Sequence, residues 1–180
     1  MKKLFTTIFA ALLAIAASAQ IGTDPMTITF KPFKPGNNPM VFNCDKVFMY
    51  VVDDKGKMEC DEHIRTFRDG QRFTTRFKTV STSSRSSQIF LSVKAVGTLI
   101  VYATSASSEV DRQVVILKGA KDLVTDVVEQ KSKRPITLEI EKPGEYQIMY
   151  PDGPINIYGI RFIEKKDEPA AEPAAEPAAK

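Results

Sequence analysis

The densest group of chemically versatile side chains in the sequence is the segment "SASSEVDR" at 105–112, which follows the apolar run containing Tyr102. Ser105 and Ser107 carry hydroxyl groups that donate and accept hydrogen bonds. Arg112 carries a guanidinium that can hold a carboxylate through two parallel bonds. Together these groups can bind a polar, anionic ligand. The alternative is that they only shape the loop, since serines stabilise turns and the arginine can pair with the aspartate before it.

Residues of the same chemical types lie at the ends of neighbouring apolar runs. Arg85, in "SSRSS", is a second cation predicted to reach the same rim, and Tyr150 and Asp152 precede "GPIN". Tyr102 alternates in phase with polar threonines, so it is predicted to lie on the wetter side of its strand; packing against a neighbouring strand is the alternative. The predicted ligand-binding set is Tyr102, Ser105, Ser107, Arg112, Arg85, Tyr150 and Asp152.

Catalytic and metal-binding patterns are scarce. His63 is the single histidine, so a multi-histidine metal site is excluded and a catalytic triad has one candidate base. The acidic segment "DDKGKMECDE" at 53–62 lacks the ligand spacing of an EF-hand loop, and neither a phosphate-binding glycine loop nor a nucleophile elbow occurs. We therefore predict a protein that is not an enzyme and has no cofactor. A structural calcium ion held by loop carbonyls is an alternative that no motif supports.

Cys44 and Cys60 are the two cysteines of the chain. In an exported protein such a pair can form a disulfide that stabilises the fold by about 2–4 kcal/mol. The alternative is two buried free thiols, because sequence spacing alone does not bring two Cβ atoms together.

The two ends of the chain differ in composition from its centre. Met1 and two lysines precede an apolar stretch at 4–16 and a small-residue triplet at 17–19, which is the pattern of a secretory signal peptide cleaved after 19. Residues 20–164 are predicted to form one exported domain that is secreted, periplasmic or on the cell surface. Residues 165–180 repeat Glu-Pro-Ala-Ala and are predicted to form a solvated low-complexity tail.

Charge and hydropathy exclude two classes of partner. The formal net charge is +3 at pH 7, and loss of Lys2 and Lys3 with the signal peptide leaves +1. A nearly neutral chain has no electrostatic basis for non-specific nucleic-acid binding. The apolar stretch of the signal peptide is short for a membrane span and does not recur, so no membrane span is predicted.

Between the two ends, apolar side chains recur with a period of two. The segments "QIFLSVK", "PITLEIEK", "EYQIMY" and "NIYGIRFIE" alternate in this way, and the last of them is predicted to point Tyr158, Ile160 and Phe162 to one face. Turn sequences such as "RDGQ", "KPGE" and "PDGP" separate these runs. The stretch 120–133 is compatible with a short helical turn or a strand. Many short strands with frequent turns predict an all-β fold, an antiparallel β-sandwich of jelly-roll type.

Four segments in this order carry a resemblance to a known family: "GQRFTTRFKT", "SSRSSQIFLSVKAVGTLIVYATSASS", "DRQVVILKG" and "PGEYQIMYPDGPINIYGIRF". Over roughly 66–163 the chain resembles the accessory β-sandwich domains of secreted bacterial pectate lyases and related polysaccharide-degrading enzymes, which are similar to carbohydrate-binding modules. In those domains a strand of the form I-x-V-Y-A-x-S runs into a serine-rich loop, and an arginine begins the next strand.

The resemblance implies a secreted bacterial protein that binds plant cell-wall polysaccharide, such as pectin, without cleaving it. A partner enzyme and an envelope protein are both considered as partners. On this hypothesis Tyr102 offers a ring to a sugar, the loop serines bond its hydroxyls and Arg112 holds a uronate carboxylate. The alternative is a structural or protein-interaction β-sandwich of the cell envelope, which an exposed apolar patch on one sheet would favour.

Overall fold

A computed structural model describes residues 26–34, 40–80, 82–84, 87–119, 121–129 and 133–165. The predicted signal peptide, the tail after 165 and the predicted site residue Arg85 lie outside the described residues. Within those ranges, no helix has the length and hydrophobicity needed to cross a membrane.

The described part of the chain is built from short strands separated by turns, as the period-two pattern predicts. The stretch 120–133, which was compatible with a helical turn or a strand, contains a strand. The strands are β1 (Thr27–Ile28), β2 (Met40–Asn43), β3 (Val47–Asp53), β4 (Glu59–Thr66), β5 (Arg72–Lys78), β6 (Ser87–Val93), β7 (Gly97–Ser105), β8 (Arg112–Lys118), β9 (Lys121–Val128), β10 (Ile136–Ile140), β11 (Gly144–Met149) and β12 (Ile155–Glu164).

The strands form two antiparallel sheets. The first sheet has the order β10-β7-β12-β5-β4, with β1 beside β12, and the second has the order β2-β3-β6-β11-β8-β9. Strands β5 to β12 alone give the two four-stranded orders β5-β12-β7-β10 and β6-β11-β8-β9, which is the strand order of a jelly roll. The predicted fold class is therefore confirmed.

The main core lies between the two sheets, and most strands bury the side chains of one face in it. Ile89, Leu91 and Val93 of β6 are buried in it, while the residues between them are partly exposed. Strand β10 shows the same alternation, with burial of its three apolar residues and exposure of the threonine and glutamate between them. Each fully buried aliphatic side chain contributes about 1.5–3 kcal/mol to folding. Alternation in the sequence thus specifies which face of each strand enters the core.

A β-bulge in β12 breaks the predicted alternation. The register against β7 shifts between Ile157 and Gly159, so that Gly159 lies opposite Tyr102. Because an extra residue reverses the facing of one half of a strand, Ile157 enters the main core with Ile160, and Tyr158 joins a separate cluster. The prediction that Tyr158 faces the same way as Ile160 and Phe162 is wrong, although Tyr158 is fully buried and serves packing as expected.

Both cysteines are free thiols, so the disulfide alternative is wrong. The Cys60 thiol is buried and donates a hydrogen bond to the backbone carbonyl of Arg76 at 2.9 Å. Burial, assisted by the carboxylates of Asp61 and Glu59, raises the pKa of this thiol to about 12. Cys44 is partly buried against the main core.

Candidate functional site

The loop rim is the end of the sandwich where the segments 54–58, 79–80, 82–84, 106–111 and 150–154 lie between the strands. The segments 106–111 and 150–154 lie side by side there. Ser105 and Ile155 are cross-strand partners, and the amide of Ala106 donates to the carbonyl of Pro154 at 3.2 Å. The fold thus brings the predicted residues of the serine-rich loop next to those of "YPDGP".

The two predicted serines at the rim are engaged in the loop itself. The Ser105 hydroxyl donates to the carbonyl of Val110 at 2.5 Å and accepts from the amide of Ser107 at 3.0 Å. The Ser107 hydroxyl accepts from the amides of Glu109 and Val110 at 3.2 and 3.1 Å. Such bonds fix the loop conformation. A ligand that used the Ser105 hydroxyl as a donor would have to replace its bond to Val110, whereas the Ser107 hydroxyl only accepts in these bonds and keeps its O–H for a ligand.

Arg112 and Asp152 lie in direct contact at the rim. The Arg112 Nη1 donates to the backbone carbonyl of Asp152 at 2.5 Å, and the carboxylate of Asp152 accepts from the amide of Gln113 at 3.2 Å. The aspartate contacted by Arg112 is therefore Asp152, through its backbone, and no ion pair to Asp111 is found in the described part of the chain. Arg112 and Asp152 were both predicted site residues, but the contact between them was not predicted.

The guanidinium of Arg112 is fixed in place but incompletely bonded. Its Nε is enclosed and has no hydrogen-bond partner. A Cβ added to Gly153 would stand 2.6 Å from the Cζ of Arg112, and Gly153 has a φ of +147° that disfavours other residues.

The two predicted tyrosines are buried, so the prediction that Tyr102 lies on the wetter side of its strand is wrong. Tyr102 is 0% exposed, and its hydroxyl donates to the carboxylate of Asp69 at 2.8 Å. Burial, and next the bond to Asp69, raise the pKa of Tyr102 above its ordinary value. Tyr150 is also 0% exposed, its hydroxyl bonds that of Ser87 at 2.8 Å, and burial raises its pKa to about 12.

Tyr102 belongs to an outer aromatic cluster, formed by Phe67, Phe73, Tyr102 and Tyr158 on the solvent side of the first sheet. Phe73 lies 4.8 Å and Phe67 5.1 Å from the Tyr102 ring, centroid to centroid. The Phe73 ring also passes over the backbone of β12, where a Cβ at Gly159 would stand 2.3 Å from its Cε1. Side chains from the β4–β5 hairpin therefore cover a face that the alternation of β7 alone predicts to be wet.

Polar side chains surround this cluster, and they were not predicted as a group of functional residues. Arg76 pairs with Asp61 through two bonds of 2.8 and 3.0 Å, and the His63 ring nitrogen Nδ1 lies 3.1 Å from the Tyr158 hydroxyl. Burial, and next the charge of Arg76, lower the pKa of His63. His63 also lines an open groove of about 820 Å³. The alternation of Asp61, His63 and Arg65 in β4 is the sequence signal for this outward-facing row.

The second-sheet face is defined by the outward side chains of β2, β3, β6 and β11. It carries fewer charged side chains than the outer face of the first sheet. Val41, Tyr50 and Phe90 are successive cross-strand partners there, followed by Gln147. Val41 is 57% and Tyr50 41% exposed. Half-buried Phe48 and Val52 extend the apolar surface on β3.

No constellation for metal binding is present in the residues that the structure describes: no three His, Cys, Asp or Glu side chains are grouped closely enough to hold an ion. The acidic stretch at 53–62 is used structurally. The buried Asp53 carboxylate accepts from the amide of Met58 at 2.6 Å and closes its own loop.

No protein-family model matches the chain, and no curated protein matches its sequence. A similar solved structure comes from a study of glycan recognition by the Ruminococcus flavefaciens cellulosome; it has 12% identity over 66% of this chain and 82% of that chain, with a TM-score of 0.41. A structure of the CBM51-2 and INT domains of Clostridium perfringens ZmpB has 7% identity over 76% of this chain and 40% of that chain, with a TM-score of 0.40.

A third similar structure is the C-terminal CBM6 of LamC, a marine laminarinase from Zobellia galactanivorans. It has 12% identity over 64% of this chain and 99% of that chain, with a TM-score of 0.29. Identities and TM-scores are low in all three cases, so function has to be inferred from the residues of this chain.

Proposed function

We propose that the chain is an exported, non-catalytic glycan-binding β-sandwich whose loop rim takes the carboxylate of an acidic sugar. The observation that carries the proposal is the Arg112 guanidinium, held by the Asp152 carbonyl while its Nε has no acceptor. An enclosed cationic N–H without an acceptor costs free energy. Because Nε is enclosed, the guanidinium has to turn on binding for a ligand carboxylate to supply the missing acceptor.

The neighbours of Arg112 fit the rest of an acidic sugar. Arginine binds a carboxylate through a planar pair of N–H groups, which a lysine cannot reproduce. The carboxylate of Asp152 accepts one bond at 3.2 Å and has acceptor capacity left for a sugar hydroxyl. No tyrosine ring from the predicted set is open to the ligand, so binding relies on charge-assisted hydrogen bonds and not on stacking.

The polymer we propose is pectin in its de-esterified, polygalacturonate form. The resemblance over 66–163 supports a plant cell-wall ligand and a partner enzyme acting on the same polymer. The signal-peptide pattern at 1–19 supports export, because such a polymer lies outside the cell. De-esterification matters because a methyl ester removes the charge that Arg112 would hold.

Affinity electrophoresis tests this proposal with the chain from Gln20 onward. Gels containing de-esterified pectin should retard the protein, and gels containing methyl-esterified pectin or β-glucan should not. Arg112→Lys should weaken retardation about tenfold, because it keeps the charge and loses the bidentate geometry. Arg134→Lys, the same change at an exposed arginine paired with Asp126, should behave as wild type. Unchanged migration in every gel would refute the proposal.

A protein-binding role is the second candidate, and the second-sheet face favours it. A patch with exposed Val41 and Tyr50 beside Phe90 matches a partner protein with an apolar, uncharged complementary surface. If this face mediates the function, Tyr50→Lys should abolish association with a purified envelope partner and leave glycan gels unaffected. Retardation by pectin that depends on Arg112 would instead favour the glycan.

A further inference from the structure

A lysine pocket lies at the end of the sandwich opposite the loop rim. It is a cavity of about 460 Å³ between β8–β9 and β10–β11, and its lining includes Lys118, Lys121 and Lys142. Apolar side chains of Leu123 and Leu138 and the ring of Tyr146 also line it. Cationic groups beside an aromatic and aliphatic surface form a concave site of mixed polarity, the usual composition of a small-ligand site.

Lys118 is held in a defined position by its neighbours. Its Nζ donates to the carbonyl of Lys142 at 3.0 Å and bonds the Tyr146 hydroxyl at 3.2 Å. It also lies 5.0 Å from the centroid of the Tyr146 ring, within the range of a cation–π contact. The Tyr146 hydroxyl in turn donates to the Lys142 carbonyl at 2.7 Å. These contacts make the cationic wall of the pocket preorganised.

The three lysines outnumber the two glutamates that line the same pocket and form no direct ion pair with them. Lys118 and Lys121 are direct cross-strand partners, and like charges opposite one another destabilise a sheet. Among the described residues, none of the three ammonium groups has a carboxylate within 4.0 Å. The side chains of Lys121 and Lys142 are exposed, so both can turn toward a bound anion.

Two glutamates complete the lining and define what else a ligand must offer. Glu139 accepts a hydrogen bond from the Thr98 hydroxyl at 2.8 Å, and Glu141 is exposed beside it. Carboxylates accept bonds from hydroxyl groups. A ligand carrying both an anionic group and several hydroxyls therefore satisfies the lysines and the glutamates together.

We infer that the lysine pocket binds one uronate residue of an acidic oligosaccharide, with its carboxylate at Lys121 and Lys142 and its hydroxyls at the glutamates. The inference rests on the proposed function in that it assigns a second contact to the same class of polymer. Two sites at opposite ends would let one domain engage two segments of the polymer and raise its apparent affinity.

Isothermal titration with trigalacturonate tests the inference on the chain from Gln20 onward. Wild type should bind two equivalents. The Lys121→Gln and Lys142→Gln changes should each weaken the pocket about fivefold, and the double variant should bind one equivalent. Lys31→Gln, a change at an exposed lysine in the groove beside His63, should titrate as wild type. The trimethyl ester of the probe should not bind the pocket.

The outcomes separate the two sites. Loss of one equivalent in the double lysine variant supports the pocket even if Arg112→Lys has no effect, and in that case only the rim placement fails. A double lysine variant that still binds as wild type overturns the pocket, whatever Arg112→Lys does. Circular dichroism of each variant establishes that the fold is intact, so that a lost equivalent reflects the site.

Discussion

The outer aromatic cluster with the polar side chains around it, and the loop rim, both combine arginine, acidic and aromatic side chains, but they use their hydrogen bonds differently. In the cluster, Tyr102 donates to Asp69 and Tyr158 contacts His63, and the rings are closed to solvent. At the rim, Arg112 is held by one bond and its Nε has no acceptor. A polar group satisfied within the protein stabilises the fold, whereas one that is positioned but incompletely bonded can gain a bond when a ligand binds and the group turns toward it.

The largest expected effect comes from removing a ring of the cluster. Tyr102→Ala should lower the free energy of unfolding by about 3–5 kcal/mol, because it opens a cavity beneath Phe67 and Phe73. Urea denaturation measures this loss. Tyr50→Ala, at an exposed tyrosine of the second sheet, should cost about 0.5 kcal/mol. A stable Tyr102→Ala variant that has lost only glycan binding would show that the cluster belongs to the binding site.

A smaller loss of stability should follow Gly159→Ala. The new Cβ would meet the Phe73 ring, and such overpacking costs about 1–3 kcal/mol. Thermal unfolding measures the cost of Gly159→Ala in the wild-type protein and in a Phe73→Leu background. The cost should be smaller in the second background, because leucine removes the ring that the new Cβ would meet. An equal cost of Gly159→Ala in both backgrounds would contradict the assigned clash.

At the rim the expected effect falls on binding more than on stability. Gly153→Ala should push the Arg112 guanidinium away from the Asp152 carbonyl and weaken glycan binding about tenfold. Its backbone strain should cost about 1 kcal/mol of stability. Titration calorimetry measures the loss of binding, and scanning calorimetry of the same preparation measures the loss of stability. Full binding by a folded Gly153→Ala variant would contradict a site that depends on the position of this guanidinium.

The smallest expected effect distinguishes Tyr150, buried beneath the rim, from a ligand-binding tyrosine. Its pKa is raised from 10.0 to about 12, so the unfolded chain loses this proton at a lower pH than the folded protein. The resulting stability is fully present below pH 10 and is lost as the pH rises toward 12. Urea midpoints between pH 9 and 11 should fall less steeply in Tyr150→Phe. The variant Tyr50→Phe, at an exposed tyrosine, should show the same pH dependence as wild type. An identical pH dependence of the urea midpoint in all three proteins would contradict the role assigned to Tyr150.

Local alternation was enough to predict most of the fold. A strand such as β10 buries its three apolar residues and exposes the two polar residues between them, since a half-buried strand has a side-chain period of two. The jelly-roll fold class was predicted from the number of such strands and their turns, and the strand order is known from the structure. The bulge at Ile157–Gly159 was not predictable in this way, because an added residue leaves no distinct mark in the hydrophobic pattern.

The candidate site was predicted only in part, and the reason is tertiary. The types and positions of Arg112 and Asp152 are visible in the sequence, and the structure brings them together. Alternation separated Tyr102 from the main-core side of β7, but the prediction that it is wet is wrong because Phe67 and Phe73 of the β4–β5 hairpin cover it. Alternation within one strand contains no information about what covers its outer face. The lysine pocket likewise forms from segments separated along the chain.

The most direct test of the central claim is an NMR titration of the ¹⁵N-labelled chain from Gln20 onward with trigalacturonate. The account predicts that the Arg112 Nε–Hε resonance and the amides of Gln113 and Gly153 shift together. It also predicts that the resonances of Tyr102, in the outer aromatic cluster, and of Asp69, which bonds it, do not shift. Shifts confined to that cluster, or an Arg112 side chain unaffected at saturating ligand, would contradict a glycan site at the loop rim.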